Sequence, residues 1–172
     1  MNARILPIIR AHNPTRIVIF GGLHYMNPSW IVQNPRVLSF PANDSQIMLE
    51  IHNYDPFDYA SGGKQGPSIH SWGSGADYAR LRQWMDQIGN WSLAHRVPLY
   101  YGEFGCTTKQ TEASGRYTWY KAHADEIRAR GFAAAVWDDD GEFRIFDRSA
   151  GTWDEKLLTA LGKEPRLKSP AV

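Results

Sequence analysis

The chain has 172 residues, 42% of them hydrophobic, which is the size of one domain and enough apolar material for a core without disulfides or a structural metal. Its 19 lysines and arginines nearly cancel 18 aspartates and glutamates, so no basic field exists to grip nucleic acid or an anionic membrane. A single cysteine, Cys106, excludes an intrachain disulfide and a cysteine-based zinc site, no apolar run approaches the roughly 20 residues of a membrane span, and the stretch after Met1 lacks a signal-peptide layout.

In chain order, residues 3–11 (ARILPIIRA) read as a helix with no strand before it, as though half a repeat had been removed. Residues 16–20 are predicted as the first strand, followed by a short helix over 30–38. Residues 46–52 (QIMLEIH) form the second strand. A loop over 53–71, rich in Gly, Ser and Pro, comes next, and its 55–72 part is expected to be mobile and to border the leaving-group side. Leu81, Trp84, Met85, Ile88 and Trp91 make one apolar helix face. Residues 97–102 are the third strand, and Thr107 and Thr108 are candidate caps of a helix carrying Tyr117, Tyr120, Ala124 and Ile127, stopped by Gly131. Residues 132–137 form a near-continuous apolar run, expected as a fourth strand buried on both faces. A turn at Asp140-Gly141, a strand-like piece over 143–146 and a helix over 154–161 follow, with 163–172 as a frayed tail beyond a domain of residues 1–162. The alternation of strand and helix predicts an α/β fold with a parallel sheet.

Ligands bind at the carboxyl ends of strands in such architectures, and three polar or aromatic clusters stand there. They are His52-Asn53-Tyr54-Asp55-Pro56-Phe57, Tyr101-Gly102-Glu103-Phe104-Gly105 and Trp137-Asp138-Asp139-Asp140. Glu103 is the sharpest candidate, because flanking glycines let its backbone approach a ligand closely; the bland alternative is a strand-end acid in a cap or ion pair. Likewise His52 could be a satisfied buried histidine, Tyr54 a loop anchor and Trp137 core. The three aspartates suggest a hard cation, but neighbours on an extended strand point to alternate faces and the spacing of a calcium loop is absent, so no metal and no cofactor are expected. His12, His24, His70, His95 and His123 read as scattered surface residues, and Trp84, Trp91 and Trp119 as packing.

The segments RIVIFGG, IHNYDPF, Trp72-Gly73-Ser74, VPLYYGEFG and AVWDDDGEFRIFD, closing with Trp153 and LLTAL, occur in order over residues 3–162. Together they resemble the second half of a family 5 glycoside hydrolase of the bacterial endoglucanase type. That resemblance implies strands five to eight of an eight-stranded (β/α) barrel, acting on β-1,4-linked glucan in a secreted or periplasmic setting. It implies Glu103 as the nucleophile of a retaining mechanism, His52 and Tyr54 lining the cleaved subsite with the tyrosine hydroxyl orienting Glu103, and Trp137 as a sugar platform. Tyr25, Trp72 and Asn53 are further substrate-binding candidates.

The departure is as informative as the match. A retaining mechanism needs two carboxyl groups about 5–5.5 Å apart, and the family's acid/base stands on strand four, before the part of the barrel that this chain matches. A full barrel takes about 250 residues, so a two-fold homodimer is expected to complete it, with Asp138, Asp139 or Glu142 of one copy facing Glu103 of the other and Asp138 the first candidate for proton donor. The competing readings are a glucan-binding module that stacks sugars on Trp137, Tyr54, Tyr25 and Trp72, and an inactive fragment.

Overall fold

In the second strand, apolar and polar side chains alternate with a period of two, and that pattern sets the architecture. In the computed structural model, which describes residues 2–34 and 44–163, strand β2 (Ile47–Asn53) buries Ile47, Leu49, Ile51 and Asn53 on one face and leaves Met48, Glu50 and His52 half-buried on the other. Among the described residues, helices cover only the first face. Strands β1 (Val18–Gly21), β2, β3 (Leu99–Phe104) and β4 (Ala133–Ala134) lie in sequential order, and every adjacent pair is parallel. Such parallel neighbours require crossovers, supplied by α2 (Pro28–Gln33), α4 (Gly75–His95) and α5 (Arg116–Ala129), with α4 packed between the other two. Helix α1 (Asn2–His12) precedes the sheet, and α6 (Glu155–Ala160) closes the described chain against α5.

The α4 boundary follows from capping chemistry. Ser74 Oγ accepts from the Asp77 amide while the Asp77 carboxylate accepts from the Ser74 amide, a reciprocal capping box. Trp72, two residues outside the cap, packs on Tyr78 one turn inside, ring centroids 5.0 Å apart, which fixes how the chain enters the helix.

Five expectations need correction. Thr107 and Thr108 do not cap the third long helix: α5 starts at Arg116 behind Gly115 (φ +96), and Thr107 is buried, accepting from the Lys109 amide. A Cβ on Gly115 would stand 2.1 Å from the Trp72 carbonyl oxygen, and the Trp72 amide donates to Ser114 at 2.9 Å, so 106–115 packs as a loop against the neighbouring connection. The fourth strand is not buried on both faces. Its ladder shrinks to Ala133–Ala134, both exposed, because β4 is the sheet edge and nothing among the described residues covers its inner face; the chain still runs beside β3, Ala135 and Trp137 donating to the carbonyls of Tyr101 and Phe104. The loop after β2 holds a helical turn, α3 (Phe57–Ala60), and is tied down by Gln110 Nε2 on the carbonyls of Tyr59 and Ile69 and by Trp119 Nε1 on that of Asp55. The piece over 143–146 becomes a hairpin of β5 (Phe146–Asp147) with β6 (Thr152–Trp153). The expected helix over 30–38 ends at Gln33, and its remainder, like 164–172 of the tail, lies outside the described residues.

Ile51 is fully buried under the helices, whereas Ile19 on the open face is 43% exposed. Ile51→Ala should therefore cost about 2–5 kcal/mol and Ile19→Ala well under about 1 kcal/mol for the isolated chain. Urea midpoints of the two variants at equal slope check this, and equal losses would contradict a one-sided core.

Candidate active site

A one-residue bulge aims the central carboxylate. Ile51 pairs with Tyr101 but His52 pairs with Glu103, so Gly102 is the extra residue between β2 and β3. Without that insertion Glu103 would point toward the helices; with it, Glu103 shares the open face with His52 and Glu50. Gly102 also leaves room for Glu50, since a Cβ there would lie 2.1 Å from Glu50 Oε1 and displace that side chain.

Around Glu103 the contacts converge on one oxygen. Tyr54 donates its hydroxyl to Oε2 at 2.7 Å, and His52 Nδ1 stands 3.4 Å from that same atom. Burial, reinforced by the Glu103 carboxylate, pushes the Tyr54 phenol well above its ordinary pKa, so the hydroxyl keeps its proton and remains a donor. Tyr54 is itself held by an edge-on contact with Phe143, centroids 5.4 Å apart. Gly105 makes that approach possible, because a Cβ there would meet Phe143 at 3.0 Å and Tyr54 at 3.5 Å. The two glycines of GEFG thus serve different neighbours, Glu50 and the Tyr54–Phe143 pair.

A cleft of about 630 Å3 opens here, lined among others by Tyr25, His52, Tyr54, Phe57 and Glu103. Tyr25 is 90% exposed and lies in the left-handed region with His24 and Met26. Trp137 follows the edge strand; the alternation from Ala133, paired with Tyr100, puts its ring on the open face, 38% exposed. Glu103, Tyr54, His52, Tyr25 and Trp137 therefore share one end and one face of the sheet.

Three candidates fall elsewhere. Trp72 is buried at 7% exposure between Tyr78 and His123 and staples α4. Asn53 is 3% exposed on the helix side, its Oδ1 accepting from the Asp55 amide, because the alternation that turns His52 inward turns Asn53 outward. Asp138 is not poised as a proton donor. Its oxygens accept from the amides of Asp140, Ile145 and Phe146 and from Arg148. Burial alone would raise its pKa, but these bonds together outweigh it and hold the carboxyl at about 2. Asp139 similarly accepts from Gly141 and Phe143, and Glu142 pairs with Lys109. These acids build the turn that carries Phe143 to Tyr54. His123 also departs from expectation: it is fully buried against Trp119, and burial lowers its pKa to about 3. Among the described residues no cluster of His, Cys, Asp or Glu could hold a metal ion, and no helix is long and apolar enough to cross a membrane.

Sequence reasoning missed Glu50 and left Phe57 without a role. The signal for Glu50 was present, since period-two alternation in IMLEIH puts it on the same face as His52.

With that geometry in place, comparison with known proteins gives the family. Residues 1–142 match the profile of Cellulase (glycosyl hydrolase family 5), and the chain belongs to that family. It is 32% identical over 167 residues to Endoglucanase H of Acetivibrio thermocellus, covering 94% of this chain and 17% of that protein. Among solved structures it matches the cellulose synthase subunit Z of Clostridioides difficile (32% identity, TM-score 0.81, 92% of this chain and 53% of that one). A hyperthermophilic endo-beta-1,4-glucanase in complex with substrate matches with 30% identity and TM-score 0.82, over 94% of this chain and 52% of that one. The chain thus spans about half the length of these structures, and its four parallel strands form half of a (β/α) barrel.

Two outcomes follow from these placements. Trp72→Ala should lower stability by about 3–5 kcal/mol, whereas Trp137→Ala, at an exposed position on the open face, should cost much less; urea unfolding of the two variants separates them. Because the folded pKa of Asp138 lies below its unfolded value, its contribution is present above about pH 4 and lost as pH falls through about 2. Asp138→Asn should cost about 1 kcal/mol at pH 7, the shift being discounted for solvent screening, and much less near pH 2. A pH-independent difference in unfolding free energy would contradict this.

Proposed function

We propose that this chain is the nucleophile-bearing half of a retaining β-1,4-glucan hydrolase. The observation that carries the reading is Glu103 on the open face at a strand end, with Tyr54 and His52 both against Oε2, which leaves Oε1 as the attacking atom. In the first step Glu103 forms an ester to the anomeric carbon as the glycosidic C–O bond breaks and the departing oxygen takes a proton. Water then cleaves the ester and restores the carboxylate. Tyr54 steadies the anion before attack and relaxes as its charge is consumed. Trp137 and Tyr25, exposed on either side of the cleft, stack on sugar faces. A polymeric glucan cannot enter a cell, so the reaction belongs outside the cytoplasm.

The proton in the first step comes from a carboxyl group about 5–5.5 Å from Glu103, and the acids of the turn after Trp137 are committed to that turn. The donor therefore stands on whatever covers the open sheet face. A two-fold pair of these chains would bring each β1 edge beside a partner's β4 edge and cover both inner faces, giving an assembly that binds glucan and forms the ester only where the leaving group departs unprotonated. Turnover of unactivated glucan further needs a complementary half with the acid.

An activated substrate tests the nucleophile without the acid, because dinitrophenolate leaves unprotonated. With 2,4-dinitrophenyl β-cellobioside the chain should release dinitrophenolate and gain a cellobiosyl ester on the peptide containing Glu103, read by mass spectrometry. Glu103→Gln should slow this by several orders of magnitude. Labelling of a different residue, or equal labelling in the variant, would overturn the assignment, and glucan binding with no labelling would favour a binding module.

A further inference from the structure

Glu50 stands on the open face of β2 below the reacting carboxylate, and the reaction described above gives it no part. The fold makes room for it on β3, where Gly102 leaves the space that a Cβ would fill 2.1 Å from Oε1. A carboxylate on an inner sheet face needs a partner if that face is ever covered. It has one in His52, whose Nε2 lies 3.2 Å from Glu50 Oε1 in a hydrogen bond.

The two ring nitrogens of His52 are not equivalent. Nδ1 lies 3.4 Å from Glu103 Oε2, and the short hydrogen bond to that oxygen comes from Tyr54 at 2.7 Å. The hydrogen bond that orients the imidazole is therefore the one to Glu50, on the side away from the reaction. A carboxylate on one ring nitrogen fixes the tautomer by holding the proton there, and so decides what the other nitrogen presents.

We infer that Glu50 is a positioning residue that holds the proton of His52 on Nε2 and thereby sets the ring nitrogen facing Glu103. Its effect on the reaction passes entirely through His52, and in that respect the inference rests on Glu103 being the nucleophile. The string Glu50, His52, Glu103, Tyr54 then forms one unit spanning β2, the bulge and the following loop. Loosening its far end lets the ring swing against Glu103 Oε2.

The test separates acceptor from volume. Glu50→Gln keeps an oxygen that can accept from Nε2–H, whereas Glu50→Met keeps the bulk and removes the acceptor. In the chain with 15N-labelled histidine, the His52 ring spectrum at neutral pH should show a protonated Nε2 in the wild type and in Glu50→Gln. In Glu50→Met the two ring nitrogens should move toward averaged shifts, with amide dispersion confirming the fold. The rate of cellobiosyl labelling at Glu103 should fall about tenfold in Glu50→Met and be largely recovered in Glu50→Gln. An unchanged ring spectrum in folded Glu50→Met would overturn the inference. If the wild type fails to label at all, the nucleophile reading fails, and the ring spectrum still decides the role of Glu50.

Discussion

A parallel sheet clothed in helices on one side only has two kinds of side-chain position, and everything else in this chain depends on the difference. Outward positions in β2 and β3 are sealed: Leu49, Ile51, Tyr101 and Phe104 are almost entirely removed from water. Each such side chain contributes about 1.5–3 kcal/mol relative to exposure. The other face is free to carry Glu50, His52 and Glu103, residues that would be destabilising in a core. Chemistry is concentrated there because packing has been concentrated opposite.

Strict alternation alone would misplace the reacting group, and the bulge at Gly102 resolves the conflict. Tyr101 must face the helices to fill the core, and with no inserted residue Glu103 would face them too. One unpaired glycine turns the remainder of β3 by half a period, bringing Glu103 inward while Phe104 continues the core. The supporting turn works at longer range: Asp138 and Asp139 spend their charge on backbone amides, which fixes Phe143, which props Tyr54, which meets Glu103. Carboxylates of the same type thus do opposite work. Where amides and an arginine surround it, as at Asp138, the anion is stabilised and chemically inert; where one phenol holds a single oxygen, as at Glu103, the second oxygen stays available.

How far all this could be read from the chain itself depends on whether the signal was local. Periodicity located β2 and the apolar face of α4, and the strand-end clusters of residues 52–57 and 101–105 marked the site, because those features are written in consecutive residues. Trp72 and Asn53 were misread for the same reason. Trp72 is turned into the core by the α4 cap, and Asn53 lies one step past His52 on an alternating strand, so adjacency in sequence put both near a site they face away from. The edge character of β4 and the commitment of Asp138 are tertiary facts. An apolar run reads as buried whether or not a neighbour exists to bury it, and an aspartate gives no hint of the amides that will fold back onto it.

The half-barrel division follows from these constraints. Outward packing is complete within each strand-and-helix unit, so four units can hold together by their helix layer, while the inner layer is unfinished until four more strands are present. Glu103 and the groups that touch it need only neighbours from consecutive strands, β2 and β3, together with the loop that follows β4. On the proposed reading of Glu103 as nucleophile, the acid stands about 5–5.5 Å from it, and the acids that follow β4 are held in the turn after Trp137. On that reading the two carboxyl groups of a retaining site fall on different halves of the barrel, one on these strands and one on whatever faces them across the sugar.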